Sequence, residues 1–440
     1  MALWSSASSR TLQVIVLSLI AILLFTTYPL HREEEARVDT PGLPPVAAQL
    51  TPTPTTAKPR WPKPPNQRIL GLVFYGRRKR VELLNCYLER NLVDQGGWLD
   101  EIHFIRNTKD VDDLAFLESL VGANPRYKIL DLPDEDDGFL RYALSWETME
   151  RDAVYIKVDD DVVWIADDTI PRMVTRKLAN PNYLLVSSNN INSPLMSKVH
   201  YDNGAYRPYL PVHSSLPSEI YAQFELAHQA GDTKWEFTHY PNWTGPADYK
   251  LVHDEPTDGL SPVWLRMTED EDILRTPIRN VTYDTWGPGV KSWSIAAQSH
   301  LSLLENLYFN NVSAYYNGLN EVWFTDYDRL SINLICVDAN EILAQLPVDK
   351  DVVDEEWITV TLPKRLKKHI AIETRALAAH FSFSFQNAIE YTDVLDRYAD
   401  YASKNACLLP DQYNVSIFDD DKVEAYSRHR SYHERLHADD

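Results

Sequence analysis

From Arg68 to Ser187 the chain alternates apolar runs of strand length with segments of helical spacing. Residues 69–75 read as a first strand, and Val81 to Leu92 as a helix with Leu83, Leu84, Tyr87 and Leu88 on its apolar face. Ile102 to Ile105 is a second strand, followed by a helix from Asp110 to Val121 with Gly122 as its C-cap. Tyr127 to Leu132, a helix over Phe139 to Met149, and Ala153 to Val158 follow in turn. Asp168 is placed to cap a further helix with Pro171 in its first turn, and Tyr183 to Ser187 is a fifth strand. Such alternation predicts an α/β fold, a mostly parallel sheet flanked by helices. Residues 193 to about 290 show little periodicity but hold enough Tyr and Trp to be buried as ordered loops. Helical patterning returns at Trp293 to Phe309 and at Tyr327 to Leu346.

Parallel sheets bind ligands beyond the carboxyl ends of their strands. Two polar clusters fall there. Tyr75-Gly76-Arg77-Arg78 follow strand one, and Asp159-Asp160-Asp161 end strand four. An apolar, β-branched strand that stops on carboxylates presents hard oxygen ligands in a fixed direction, which suits a divalent cation carrying a diphosphate. Carboxylates two positions apart leave a strand on the same side, so Asp159 and Asp161 can share one ion. A structural Ca²⁺ site or a metal-free acidic turn is the plainer alternative. A second triplet, Asp419 to Asp421, follows only a short apolar run near the C-terminus and reads as a solvated turn.

The ends place the domain. Leu12 to Tyr28 is an apolar run of 17 residues, preceded by Arg10 and followed by Glu33 to Glu35. No small-residue cleavage site follows it, so a signal anchor with a cytoplasmic N-terminus is expected rather than a cleaved signal peptide. Residues 1–11 are then a tail, 12–28 the transmembrane span and 29–67 a stem. From Asp39 to Gln67 the chain carries nine prolines with interspersed threonines, a composition that cannot build a core. Four Asn-x-Ser/Thr sites, at Asn242, Asn280, Asn311 and Asn414, all lie beyond the stem, as a lumenal domain would have them. Of three cysteines, Cys86, Cys336 and Cys407, two can pair; all three pairings are open, and Cys336 with Cys407 is the expected one. The net charge of −21 becomes −23 over residues 68–440, which argues against a nucleic-acid partner.

This order of elements, ending on Val154 to Val163 and standing behind an anchor and a Pro-rich stem, resembles the GT-A-fold glycosyltransferases of the Golgi. Among them it is most similar to fungal type II membrane members that share Tyr75-Gly76-Arg77, Asp159-Asp160-Asp161 and His380-Phe381-Ser382-Phe383. The resemblance covers most of residues 68–390. It implies a metal-dependent transferase moving a sugar from a UDP-linked or other nucleotide-sugar donor to a glycan or glycoprotein acceptor, with an inverting outcome favoured. Residues 68–192 would be the donor half, 193–410 the acceptor half and 411–440 an acidic tail. It further implies that Asp161 binds Mn²⁺ or Mg²⁺, that Asp159 contacts the ion's waters or the ribose, and that Asp160 shares one of these roles. His380 would complete the metal site, although a histidine in an apolar run is as readily a packed core residue. Asp354-Glu355-Glu356 before Trp357 would supply the base, with Glu356 under a sugar ring and Asp326 and Asp328 as rivals. An exposed acidic helix start is the alternative there. Arg77, Arg78, Tyr75, Gly76 and Asn107 are the donor-contact candidates beside Asp159 and Asp160, with a solvated basic turn as the competing reading of the two arginines.

Two other functions fit the same pattern. One is a GT-A domain without catalysis, acting as a lectin or assembly subunit. The other is a lumenal phosphohydrolase, disfavoured because Val163 stands where its motif needs threonine.

Overall fold

A computed structural model describes residues 62–132, 139–213, 240–249, 251, 260–316, 321–348 and 352–407. The span 12–28, nearly all of the stem, Asn414 and Asp419 to Asp421 lie outside the described residues. Among the described residues no helix is long and apolar enough to cross a membrane.

The N-terminal part alternates as its periodicity predicts. In order come β1 (Arg68–Tyr75), α1 (Arg78–Arg90), β2 (Glu101–Arg106), α2 (Val111–Ala123), β3 (Tyr127–Leu130), α3 (Phe139–Leu144) and β4 (Ala153–Asp159). Asp110 caps α2, accepting from the N–H groups of Asp112 and Asp113 at 2.9 Å. Gly122 is not the C-cap but lies inside that helix. After β4 the chain turns through Asp160 and Asp161 into β5 (Val162–Ile165), then α4 (Thr169–Ala179) and β6 (Tyr183–Ile191). Asp168 makes no capping hydrogen bond to α4; its carboxylate accepts from Arg172 at 2.6 Å instead.

The stretch without periodicity holds α5 (Pro194–Asp202), a two-stranded sheet of β7 (Tyr209–His213) and β8 (Leu260–Arg266), and α6 (Pro288–Lys291). The buried helix α7 (Trp293–Tyr308) follows. Then come β9 (Val322–Phe324), β10 (Leu334–Asp338), α8 (Ala339–Leu343) and α9 (Asp354–Glu356). A π-helical stretch (Trp357–Thr361) joins α9 to α10 (Leu362–Leu366), and β11 (His369–His380) and α11 (Val394–Asn405) complete the described chain.

The main sheet runs β3-β2-β1-β4-β10-β6-β11-β5, with β9 also on β11. β1 to β4 are mutually parallel, and β6 and β11 share their direction; β10, β5 and β9 run the other way. The sheet is therefore mostly parallel. One expectation fails within it: Tyr327 to Leu346 is not a helix. Leu334 to Val337 is a buried central strand, wedged antiparallel between β4 and β6. Because both its faces are covered, it shows no alternation of polar and apolar residues to mark it as a strand.

Side chains alternate between two cores. Ile69, Val73 and Tyr75 of β1 join Val154, Ile156 and Val158 of β4 on one face. Leu70, Leu72 and Phe74 join Tyr155 on the other, together with Trp357 and Ile358. By the same alternation Lys157 and Asp159 leave β4 on the second face, toward the helix that starts at Asp354.

The expected Cys336–Cys407 pair does not form. Cys407 is bonded to Cys86 of α1, Cα to Cα 4.4 Å, and Cys336 is buried in β10. The sheet interior holds Cys336 out of reach of the C-terminal segment, which packs on α1. A bridge across 321 residues removes much denatured-state freedom. Reduction, or Cys407→Ser, is expected to lower unfolding stability in urea by roughly 2–4 kcal/mol. Cys336→Ser should leave the difference between oxidised and reduced protein unchanged.

Candidate metal and donor site

β4 ends on Asp159, and the turn to β5 carries Asp160 and Asp161, both buried. β11 ends alongside: His380 pairs in register with Val162, and the Phe381 N–H donates to the Asp161 carbonyl oxygen at 2.8 Å. The register shifts between Ala379 and His380, an irregularity of the kind that re-aims a side chain at a strand end. Asp159, Asp161 and His380 thus converge, each offering a ligand atom within 4.8 Å of the others. His380 Nε2 lies 3.2 Å from Asp161 Oδ1. That oxygen faces His380 and takes nothing from the arginines, which bind Oδ2, and His380 Nδ1 is buried with no hydrogen-bond partner. A cation seated between the carboxylate and the imidazole would take the place of this contact. Two carboxylates and an imidazole suit Mn²⁺, so the residues present fit such an ion.

The surrounding charges hold this arrangement. Arg77 grips the Asp160 carboxylate through Nε at 3.1 Å and through its terminal nitrogen, which also reaches Asp161 Oδ2 at 2.9 Å. The Gly76 N–H donates to Asp160 Oδ2 at 2.9 Å. A Cβ at Gly76 would stand 3.1 Å from the same oxygen, so the close backbone approach favours glycine. Asp160 therefore latches the β1–α1 loop to the acidic turn. Arg80 approaches from beneath: Nη1 meets Asp161 Oδ2 at 3.2 Å, Nη2 meets Ser382 Oγ at 3.1 Å and pairs with Glu390, and its guanidinium lies over the Phe381 ring. Burial would raise the Asp161 carboxyl; His380, Arg77 and Arg80 outweigh it and hold the group well below the ordinary carboxylate range. Burial raises the Asp160 carboxyl, only partly offset by Arg77. Asp159 pairs with Lys157, whose ammonium also donates to the Ile332 carbonyl oxygen at 2.8 Å, and accepts from Asn333 Nδ2 at 3.1 Å.

The acidic helix start lies on the Asp159 face of the sheet. Burial raises the Asp354 carboxyl, Lys157 opposes that rise, and Asp159 adds to it. Asp354 is thus coupled to the charged groups at the end of β4. Glu355 is also raised by burial, against the pull of Arg329, with which it pairs at 2.6 Å. Thr359 Oγ1 donates to the Glu355 carbonyl oxygen at 2.6 Å, inside the π-helical stretch, a local distortion common at functional sites.

Not every candidate reaches the cluster. Tyr75 is fully buried and its hydroxyl donates to the Asp113 carbonyl oxygen, so it is a core residue. Arg78 sits outside, paired with Glu82 at 2.6 Å and stacked on Phe116. Asn107 continues the β1–β2 ladder through its N–H to Tyr75. Glu356 is half-buried at the helix start. Trp357, the neighbour of Glu356, is 1% exposed and packs near Trp146 in the core. Of the rivals, Asp326 and Asp328 are exposed and act on Tyr283 rather than on the cluster.

Arg80 and Lys157 are site residues the sequence reading passed over. Both carried a signal: Arg80 shares the helical face of Leu84 and Tyr87, and Lys157 interrupts an otherwise apolar strand. A shallow concavity lined by Lys63, Gln67, Arg68 and Asp100 lies at the opposite edge of the sheet and holds none of these groups.

No family profile matches the chain, and no curated protein is detectably similar to it. Solved structures with a partial likeness include 4-diphosphocytidyl-2C-methyl-D-erythritol synthase from Anaerococcus prevotii, at 8% identity over 74% of this chain and 97% of that one, TM-score 0.31. GalNAc-T7 with UDP, GalNAc and Mn²⁺ aligns at 10% identity over 84% of this chain and 54% of that one, TM-score 0.37. Glucosyl-3-phosphoglycerate synthase from Mycobacterium tuberculosis, in complex with Mn²⁺, UDP-glucose and phosphoglyceric acid, aligns at 13% identity over 28% and 43%, TM-score 0.22. None reaches the similarity at which a family or a reaction can be read across.

Arg80→Met should leave Asp161 and Glu390 short of their shared partner. The cost expected in urea unfolding is roughly 3–5 kcal/mol, the penalty for breaking a buried ion pair from one side.

Proposed function

We propose that this chain is a metal-dependent glycosyltransferase of the GT-A kind, taking a nucleotide-sugar donor and a glycan or glycoconjugate acceptor. The observation that carries it is the cluster of half-buried Asp159 with buried Asp161 and His380, Asp161 Oδ1 facing His380 Nε2 at 3.2 Å, at the carboxyl end of parallel strands. Asp159, Asp161 and His380 would hold Mn²⁺ or Mg²⁺, which supplies neutralisation of a departing diphosphate. The chain's own residues do the rest. Asp160, Gly76 and Arg77 fix the loop that borders the donor's edge. Arg80 holds Asp161 Oδ2 and leaves Oδ1 facing His380. Asp354, half-buried and coupled to the end of β4, is the group we assign to take the acceptor hydroxyl's proton.

The proposal includes a lumenal setting, anchored through residues 12–28 in an early secretory or Golgi membrane. In its support, Asn242 and Asn280 are exposed, and a disulfide suits an oxidising compartment.

One observation favours a second reading. Arg77 and Arg80 already neutralise Asp161 Oδ2, as they would in a GT-A domain that binds sugars without turnover. A donor panel separates the two. Purified protein should release nucleoside diphosphate from a nucleotide sugar only with Mn²⁺ or Mg²⁺, and Asp161→Asn should abolish both release and Mn²⁺ binding. Intact Mn²⁺ and donor binding with no release from any donor would favour the silent domain.

The raised Asp354 carboxyl sets the pH dependence. As a base it must be ionised, so turnover should rise with pH through a value above the ordinary carboxylate pKa of about 4. Asp354→Asn is expected to remove that limb and lower kcat by about 100-fold or more; a limb that persists in this variant would assign the base elsewhere.

A further inference from the structure

Nine tryptophans lie among the described residues, and seven are at most 6% exposed. Trp286 is 48% exposed, on the turn before α6. The turn is built to hold it there. The Trp286 N–H donates to Asp284 Oδ1 at 2.9 Å, and the Gly287 N–H to the Asp284 carbonyl oxygen at 3.2 Å. Thr285 Oγ1 donates to the Arg329 carbonyl oxygen at 3.0 Å. A Cβ on Gly287 would meet Thr282 Oγ1 at 2.5 Å, so the turn is closely fitted.

The ring is also wired to the acidic helix start. The Arg329 guanidinium lies 4.9 Å from the Trp286 ring centroid and pairs with Glu355, the neighbour of Asp354. A second ring stands nearby in sequence: Tyr283, 42% exposed, stacks on Trp323 at 5.4 Å and 13°. Tyr283 and Trp286 are thus exposed aromatic groups with a polar border. Asp284, Asp326 and Asp328 are exposed there, and the one cation of the group, Arg329, is already paired.

We propose that Trp286, with Arg329 and Glu355 at its rim and Tyr283 earlier on the same turn segment, is a subsite for a neutral saccharide ring of the acceptor. A pyranose has an apolar C–H face and a hydroxyl edge, and this surface offers an aromatic face and a charged, hydrogen-bonding edge. Surplus carboxylates disfavour a phosphate or an anionic lipid headgroup. The preset turn means little ordering cost on binding. Arg329 links the Trp286 ring to Glu355, the residue next to the proposed base Asp354. The acceptor role rests on the transferase reading; the saccharide binding does not.

The test uses the full chain with Mn²⁺ and a panel of neutral methyl glycosides, read by saturation-transfer NMR. At least one glycoside should receive saturation on its ring C–H protons. Trp286→Ala should weaken that binding by tenfold or more, Trp286→Phe should restore part of it, and neither should alter Mn²⁺ affinity. No transfer to any glycoside, or binding unchanged in Trp286→Ala, overturns the subsite. So does Trp286-dependent capture of a protein with no glycoside binding. If glycosides bind through Trp286 while no donor releases nucleoside diphosphate, the subsite stands and the transferase reading falls. If donor is turned over and the acceptor KM ignores Trp286→Ala, the transferase stands and the subsite falls.

Discussion

Two adjacent carboxylates are buried where β4 turns into β5, and the neighbourhood is organised around making that tolerable. Charge taken out of water must be paired or it destabilises the fold. Asp160 is answered by Arg77 and a backbone N–H, and Asp161 by Arg77, Arg80 and the nearby His380. These partners come from two separate parts of the chain, so the turn is where residues 76–80 and the end of β11 are drawn together. Once they are, the arginines take Asp161 Oδ2 and Oδ1 is left facing His380. The chemistry proposed for the site is a consequence of which oxygen that leaves over.

The strand insertion decides what faces the cluster. With β10 wedged antiparallel beside β4, the chain continues after it on the face where Lys157 and Asp159 emerge. The acidic start at Asp354 therefore lies on the face from which Lys157 and Asp159 emerge, and both act on its charge. Had β10 been the helix its composition first suggests, that segment would have no reason to lie there.

What could be read from residues alone follows a physical division. The alternation from Arg68 to Tyr183 is legible because each element buries one periodic face and carries its own turn residues. The acidic triplet at the end of β4 was legible because an apolar, β-branched run stops on it at the ligand edge. β10 was not legible, since a strand covered on both faces has no period to detect. The cysteine pairing was not legible either, because α1 and the segment after α11 are neighbours only in three dimensions. The pairing of Arg77 was not legible for a related reason: a guanidinium at the ligand edge suggests an external anion, and in this structure it also holds the chain's own Asp160 and Asp161. Trp357 and Trp286 make the same point in reverse. Both are plausible sugar-stacking groups by type, and only burial separates them.

The Cys86–Cys407 bond closes nearly all the described residues into one covalent ring. A single protease cut anywhere inside that ring, including in the long segments between β7 and β8, cannot shed a fragment; it yields a nicked but undivided molecule. Separation of the domain from whatever precedes it requires a cut upstream of Cys86, and the Pro- and Thr-rich sequence before Arg68 lies on that side of the bond.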